Sequence, residues 1–494
     1  MKKSVVIIGA GFAGLSAAAF MAKAGWQVTV IEKGSTAGGR ARQLREQGFT
    51  FDMGPSWYWM PDVFERFFNC FGKTTSDYYT LTRLDPSYRV YWKDEHSDIP
   101  ANYEELKALF EKFEKGSGEK LDQYLKEAFT KYKIGIEDLV YKPGQSFTEF
   151  FDWKVVSNVF KLDVFTSIKS HIAKKFKSLQ LRQLLEFPVL FLGALPQNTP
   201  ALYSLMNYAD IMGGTWYPEG GMFSIVKAMQ SVAEEQGAKF CFREEAKEIV
   251  IEKGSAKKII TDKGEHAADA IISGADYHFT ETVLLPQQYR SYTESYWDKK
   301  VMAPSCLLYY VGLNKKLKGM IHHSLFFDVP FEQHAAQIYS KPQWPDDPLF
   351  YACVTSKTDA TVAPEGHENL FLLVPVASGL NGDTDALREY YFGKIIKRLE
   401  QHCGEPVRDS IVYKKSFSVS DFINDYNSYK GNAYGLANTL RQTAIFKPSC
   451  RSKKVKNLFY TGQLTVPGPG VPPSLISGEV VSKQVLKTFN AKSV

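Results

Sequence analysis

The sequence predicts an α/β protein in which a doubly wound parallel sheet, assembled from separated stretches of chain, is interleaved with an α+β unit and a helical region. Three observations carry this expectation. An apolar strand pattern at residues 4–8 runs straight into a glycine-rich turn and a small-residue helix. Strand patterns of the same buried type recur much later, at residues 239–242, 270–272 and 458–460. The 494 residues also exceed what one hydrophobic core usually serves, so two or three structural units are expected.

Composition narrows the class. Hydrophobic residues at 44% and aromatics at 14% supply ample core material and exclude a disordered chain. A net charge of +6 is mild for this length, so nothing global points to nucleic acid. Cys70, Cys241, Cys306, Cys353, Cys403 and Cys450 form no CxxC pair, which suits reduced thiols in a cytosol better than a disulfide frame or a zinc site. Lys2 and Lys3 before an apolar run imitate a signal peptide. The run reads better as a buried strand, because Glu32 and Lys33 follow the turn and helix without a small-residue cleavage site. No later stretch reaches the roughly 18 uninterrupted apolar residues of a membrane-spanning helix. The nearest, residues 187–195, is too short, so the expected location is cytoplasmic with any membrane contact made from the surface.

The first motif is Gly9, Gly11 and Gly14, a GxGxxG that follows the strand and, with Ala13 inside it, opens a helix running to Ala24. Such a turn brings backbone close to a pyrophosphate and aims unpaired helix N–H groups at it. A second strand, residues 27–31, ends at Glu32, about 20 residues beyond the glycines, where a ribose-binding acid is expected. A carboxylate there accepts from ribose hydroxyls and repels a 2′-phosphate, which disfavours NADP. Lys33 adjoins it. Next come Gly38, Gly39, Arg40, Ala41 and Arg42, where glycines permit close approach and guanidinium forks can pair with phosphate oxygens. A further tight turn, Asp52-Met53-Gly54-Pro55-Ser56, follows. This succession points to FAD rather than NAD.

These residues resemble the flavoprotein group that unites amine oxidases, carotenoid desaturases and the Rab GDP-dissociation inhibitors. In that group the GGR segment belongs to the FAD site. Trp216-Tyr217-Pro218-Glu219-Gly220-Gly221-Met222 resembles the segment that re-enters the FAD domain in phytoene desaturases. Near the carboxyl end, a strand at 458–460 leads to Gly462 and Gln463, and then to a proline-glycine loop, residues 467–473, with a helix expected near Ser474. Such a loop would set backbone N–H groups and a helix amino terminus beside an electron-rich flavin ring. Phytoene desaturases close their FAD site with a similar loop, whereas amine oxidases usually present an aromatic residue there, and none lies between Thr465 and Leu475. The resemblance implies an FAD site drawn from Gly9, Gly11, Ala13, Gly14, Glu32, Lys33, Gly39, Arg40, Arg42, Gly54, Pro55, Ser56, Ala246, Gly274, Gly462, Gln463, Gly470, Val471 and Pro472.

These anchors set the expected layout. Residues 1–80, 215–285 and 440–494 form a Rossmann-type FAD-binding domain. Residues 81–214 form a helical, membrane-associated region for substrate access, and 286–439 a substrate-binding domain with strands near 306–311 and 370–374 and a helix near 385–401. Between Lys161 and Arg182 there are six basic residues against one acid. As a helix this stretch aligns Phe165, Ile168, Ile172, Phe176 and Leu179 on one face. That is the pattern of a helix lying in a lipid headgroup layer, and equally of an ordinary helix packed on a core. The resemblance favours the membrane. The apolar run 187–195 either lines an access tunnel or is simply buried.

The chemistry follows from the substrate the resemblance implies. A polyene has no acidic group to ionise, so the cofactor carries the hard step as hydride acceptor from an allylic carbon. Glu219 and the histidines are conceivable proton acceptors, and no catalytic residue is assigned. Trp216 and Tyr217 either line the site or pack in the core. The nine histidines are dispersed except His322 and His323, whose side chains are expected to point different ways, so no metal is expected. With no second GxGxxG unit and no redox CxxxxC, oxygen or a membrane quinone is the expected electron acceptor. Phytoene is the first candidate substrate, and a later hydroxylated or monocyclic carotene the alternative. An amine oxidase, a flavin-dependent polyene isomerase or saturase, and a non-enzymatic prenyl-lipid binder remain open.

Overall fold

The computed structural model describes residues 2–146, 166–439 and 441–490. A five-stranded parallel sheet carries the glycine turn of residues 9–14. Its order is Leu458–Tyr460, Ala270–Ser273, Ser4–Ile8, Gln27–Glu32 and Lys239–Phe242. Every pairing is parallel, with Val5 opposite both Ala270 and Val28. Both faces are covered, which is why these strands read as unbroken apolar runs rather than as alternation. Val5, Ile7, Val28 and Val30 face one core, while Val6, Ile8, Ile31 and Ile271 face another.

The helix Phe12–Lys23 runs from the first strand into the first of these cores, and eleven of its twelve residues are buried. A helix apolar all round has to be enclosed. It packs against the closing helix Val471–Thr488, where Gly478 permits the approach: a Cβ there would lie 2.4 Å from the Ala13 carbonyl oxygen and 2.6 Å from Ser16 Cβ.

A second, seven-stranded sheet is ordered Ile411–Phe417, Ser305–Leu313, Glu368–Val376, Phe350–Cys353, His323–Phe326, Tyr88–Tyr91 and His96–Ile99. Its long central strand sorts its side chains by parity. Leu307, Tyr309 and Val311 pack under the helix Asp385–Cys403, while Cys306, Leu308 and Tyr310 face the larger core. Residues 81–214 are therefore not wholly helical. Their first part supplies Leu81–Arg83 and the last two strands of this sheet, Tyr88–Tyr91 and the edge strand His96–Ile99, each too short to show alternation in sequence.

The amphipathic stripe takes a different course from the one expected. Ser167 caps a helix, Ile168–Lys175, that ends where Phe176 turns extended, and Ser178 caps a second helix, Leu179–Glu186. Ile168, Ile172 and Phe176 are fully buried, with the Phe176 ring edge-on to Phe110 and Tyr124. Leu179 lies outside the stripe and is exposed. The apolar face thus packs on protein, because the break at Phe176 turns the second helix onto a new axis. Phe165 lies outside the described residues. Among the described residues no helix is long and apolar enough to cross a membrane.

Candidate functional site

The parallel strands deliver their carboxyl ends to one large cavity, the position where open α/β sheets bind ligands. It is lined by Gly9, Gly11, Ala13, Gly14, Glu32, Lys33, Gly39, Arg40, Gly54, Pro55, Ser56, Ala246, Gly274, Gly462, Gln463, Gly470, Val471 and Pro472. Local geometry explains the crowding of glycines at its mouth. A Cβ at Gly14 would sit 1.9 Å from the Gly9 carbonyl oxygen, so the turn closes only with glycine at that position.

Glu32 is set by backbone. Its Oε2 accepts from Ala10 N at 2.8 Å and its Oε1 from Gly34 N at 2.7 Å, leaving a lone pair on each oxygen. Arg40 reaches into the cavity wall, its Nη2 donating to Ser428 Oγ at 3.0 Å and Asn432 O at 3.3 Å. Its Nε is buried without a partner, a free donor that suits an anionic ligand. Burial lowers the Arg40 guanidinium and raises the facing Asp276 carboxyl, and each partly offsets the other. Arg42 is the exception. It turns away to pair with Asp425 and lies over the Tyr426 ring at 5.2 Å, and it does not line the cavity.

The closing loop also differs in detail. Its helix begins at Val471, not near Ser474, and Pro472 and Pro473 occupy the first turn. Those prolines carry no N–H, and Ser474 N already donates to Gly470 O at 3.0 Å. Val471 therefore offers the one free amide of that turn, fewer than the sequence suggested.

Charge is confined to the nucleotide end. Glu32, Lys33, Arg40, Glu244, Glu245, Asp276 and Asp425 are the charged lining residues, and they interact with one another. Sequence reasoning missed Glu244, Glu245 and Asp425. The two glutamates stand just after the strand Lys239–Phe242, the kind of position a strand-end rule flags.

The rest of the cavity is apolar and aromatic. Phe187 sits among Trp57, Trp59 and Phe327, at ring-centroid distances of 6.0 to 6.2 Å. Among the described residues His334 is the one imidazole in the lining, and both its nitrogens are committed: Nε2 donates to Pro375 O at 2.8 Å and Nδ1 accepts from Leu349 N at 3.0 Å. Burial pushes it down to about 4. Trp216, Tyr217 and Glu219 lie outside the lining. Tyr217 instead donates to Asp359 at 3.0 Å.

His322 and His323 overturn one expectation. Their rings meet edge to face with centroids 4.4 Å apart, because His322 precedes the strand His323–Phe326 and escapes its alternation. Burial holds both neutral, His322 pushed down to about 3 and His323 well below its ordinary range.

Comparison with known proteins follows the same lines. The family described as flavin containing amine oxidoreductase matches residues 12–486. The chain belongs to this family. It is an FAD-dependent oxidoreductase. The chain is 41% identical to a carotenoid 3,4-desaturase of Haloarcula japonica over 98% of both chains. It is 30% identical to a zeta-carotene-forming phytoene desaturase of Myxococcus xanthus, over all of this chain and 95% of the other. Among solved structures it is similar in fold to an oxidoreductase from Methanosarcina mazei, with a TM-score of 0.62 at 17% identity, covering 97% of this chain and all of that one. A putrescine oxidase matches with the same TM-score at 13% identity, covering 99% of each chain. The residues present suit FAD: a glycine turn, a backbone-set carboxylate and an arginine whose Nε is buried without a partner all border one cavity.

Proposed function

We propose that this protein introduces double bonds into a long carotenoid polyene of the phytoene type. The observation that carries the reading is the division of one cavity into a charged end and an apolar, aromatic end where, among the described residues, the one imidazole has both nitrogens bonded. A small polar amine would gain nothing from that apolar end. A hydrocarbon chain buries its whole length there, at about 25 cal/mol per Å² of apolar surface. The residues to hold FAD are the glycine turn at 9–14, Glu32 for the ribose, Arg40 for phosphate, and Gly462, Gln463 and Val471 beside the ring. Bound FAD would supply the two-electron acceptor, taking up the hydride that leaves one allylic carbon together with the proton that leaves its neighbour. The chain's own part is to align the polyene, exclude water, and face the electron-poor carbons with the π surfaces of Trp57, Trp59 and Phe187. Oxygen or a quinone takes the electrons onward.

A later, hydroxylated carotene is the second reading. Tyr339, Tyr434 and Cys306 border the apolar part, with Cys306 Sγ 4.0 Å from the Tyr434 hydroxyl, and these groups could hold an oxygenated end group. The protein is further proposed to be cytoplasmic and to meet the membrane from its surface. The support is now exposed Lys174 and Lys177 beside exposed Leu179, rather than the buried stripe. The test is a visible spectrum followed over time, with FAD-loaded protein and phytoene-bearing liposomes in air or with a quinone. New long-wavelength polyene bands support the first reading. Bands only with a hydroxylated or monocyclic carotene select the second, and silence with every carotenoid rejects both.

A further inference from the structure

Behind the aromatic wall of the cavity, two histidines and a cysteine meet in a buried compartment that the proposed reaction does not use. His323 and Cys353 stand directly opposite each other in the antiparallel pair His323–Phe326 and Phe350–Cys353, and His322 is the residue before. They are 4%, 0% and 2% exposed for His322, His323 and Cys353. One donor atom from each lies within 4.8 Å of the other two. Each ring has one nitrogen anchored by a hydroxyl: His322 Nδ1 lies 2.7 Å from Thr358 Oγ1, and His323 Nδ1 lies 2.6 Å from Tyr351 OH. Tyr351 gives its own proton to Ser56 Oγ at 2.9 Å. His323 Nδ1 is therefore the donor toward Tyr351, and the Nε2 of that ring carries a lone pair. Both Nε2 atoms are buried with no hydrogen-bond partner.

Two polar nitrogens buried side by side without partners carry an unrelieved desolvation cost. A water that relieved them would want several polar partners, but a cation needs only the lone pair of His323 Nε2 and that of His322 Nε2 in the tautomer whose Nδ1 donates to Thr358. We propose that His322 Nε2, His323 Nε2 and Cys353 Sγ form a binding site for a borderline-to-soft transition-metal cation of the Zn(II) or Cu(I) kind. Two imidazoles and a thiol without a carboxylate select such ions over magnesium or calcium. The hydroxyls of Thr358 and Tyr351 fix the ring orientations as outer partners do in metal sites. Metal–nitrogen distances of about 2.0 Å and metal–sulfur of about 2.3 Å would bring the donor atoms to about 3.3–3.8 Å of each other, against the 4.8 Å within which they now lie. Binding displaces the Cys353 thiol proton to solvent. The ion would tie the two strands together behind Trp57, which stacks on His323 at 4.2 Å and forms part of the cavity wall. A second group, Cys241, Glu244 and His266, also converges, but there Glu244 Oε1 is already bonded to Thr261 Oγ1 and His266 Nε2, at 2.7 Å each.

Tag-free holoprotein expressed with added zinc, dialysed against a weak chelator and analysed by mass spectrometry for metals is expected to hold one ion per chain. Cys241→Ala is expected to keep that ion, and His322→Ala and Cys353→Ala to lose it while retaining flavin. Absence of stoichiometric metal from the unaltered protein, on expression with either zinc or copper, overturns the proposal. So does an ion that Cys353→Ala keeps and Cys241→Ala loses. Should the site variants fail to fold, X-ray absorption on the unaltered loaded protein decides. One sulfur at about 2.3 Å with two imidazole nitrogens at about 2.0 Å supports the site, and a shell without sulfur rejects it.

Discussion

At the scale of single residues, Glu32 and the two arginines of the Arg40-Ala41-Arg42 run make the sharpest claims. Each Glu32 oxygen already holds a backbone amide, so the carboxylate is oriented before any ribose arrives. Glu32→Ala is expected to weaken FAD binding about 10- to 100-fold, the worth of a hydrogen bond to a charged group. Titration of flavin-free protein with FAD, read by quenching of flavin fluorescence, measures it, and an unchanged affinity would move the adenosine end elsewhere. Arg40→Ala is expected to lower the same affinity, whereas Arg42→Ala should leave it within about twofold, since its ion pair with Asp425 is a third exposed and such pairs are worth little. Sequence alone offered no way to separate these two arginines. Both follow the same glycine pair, and only the turn Gly39–Ala41 decides which one faces the cavity. Asp210 makes a claim about pH. It is buried, receives hydrogen bonds from Tyr88 at 3.0 Å and Thr215 at 3.3 Å, and is pushed up to about 7. The folded protein therefore keeps a proton that the unfolded chain releases near pH 4, so this group's contribution is full below that pH and fades as pH rises to about 7. Asp210→Asn should flatten the fall of the thermal midpoint between pH 5 and 7. An unaltered slope would show that Asp210 is ionised in the folded state.

At the scale of elements, the crossing of Phe12–Lys23 with Val471–Thr488 depends on one missing methyl group. Gly478→Ala should force the helices apart, at a cost of about 1–3 kcal/mol, and lower both the thermal midpoint and flavin content. A variant with normal stability and full flavin would mean that the two helices slide freely. Elements buried on both sides were legible because their apolar runs are continuous and bounded by glycine turns, as at Ser4–Ile8 and Ala270–Ser273. The short strands Tyr88–Tyr91 and His96–Ile99 were not, since four residues carry too little pattern. The stripe through Ile168, Ile172 and Phe176 was read in the right place, but its periodicity is the same whether lipid or protein covers it. The extended backbone at Phe176, which a uniform helical reading passes over, is what put Leu179 on a different surface.

At the scale of the molecule, the charged end of the cavity was legible through its motifs, and the apolar end only in part, through the run 187–195 whose Phe187 lines it. The nucleotide motifs are local in sequence, whereas Trp57, Phe187 and Phe327 come from distant segments and show no common spacing. Charge tests the membrane reading at this scale. Lys174→Glu with Lys177→Glu should reduce binding to anionic liposomes several-fold in about 0.1 M salt, with the difference vanishing at high salt. Equal binding by the two proteins at every salt concentration would place the contact elsewhere.

The parallel sheet has a consequence for how the protein is made. Its strand order places Leu458–Tyr460 beside Ala270–Ser273, and the helix that walls in Phe12–Lys23 begins only at Val471. While the chain emerges from the ribosome at roughly 5–20 residues per second, the first helix waits tens of seconds for its covering partner. Through that interval a nearly all-apolar helix and an unpaired strand edge stay open to solvent. Cofactor capture is then among the last events of synthesis, and a nascent chain halted before residue 458 should bind chaperone in place of flavin.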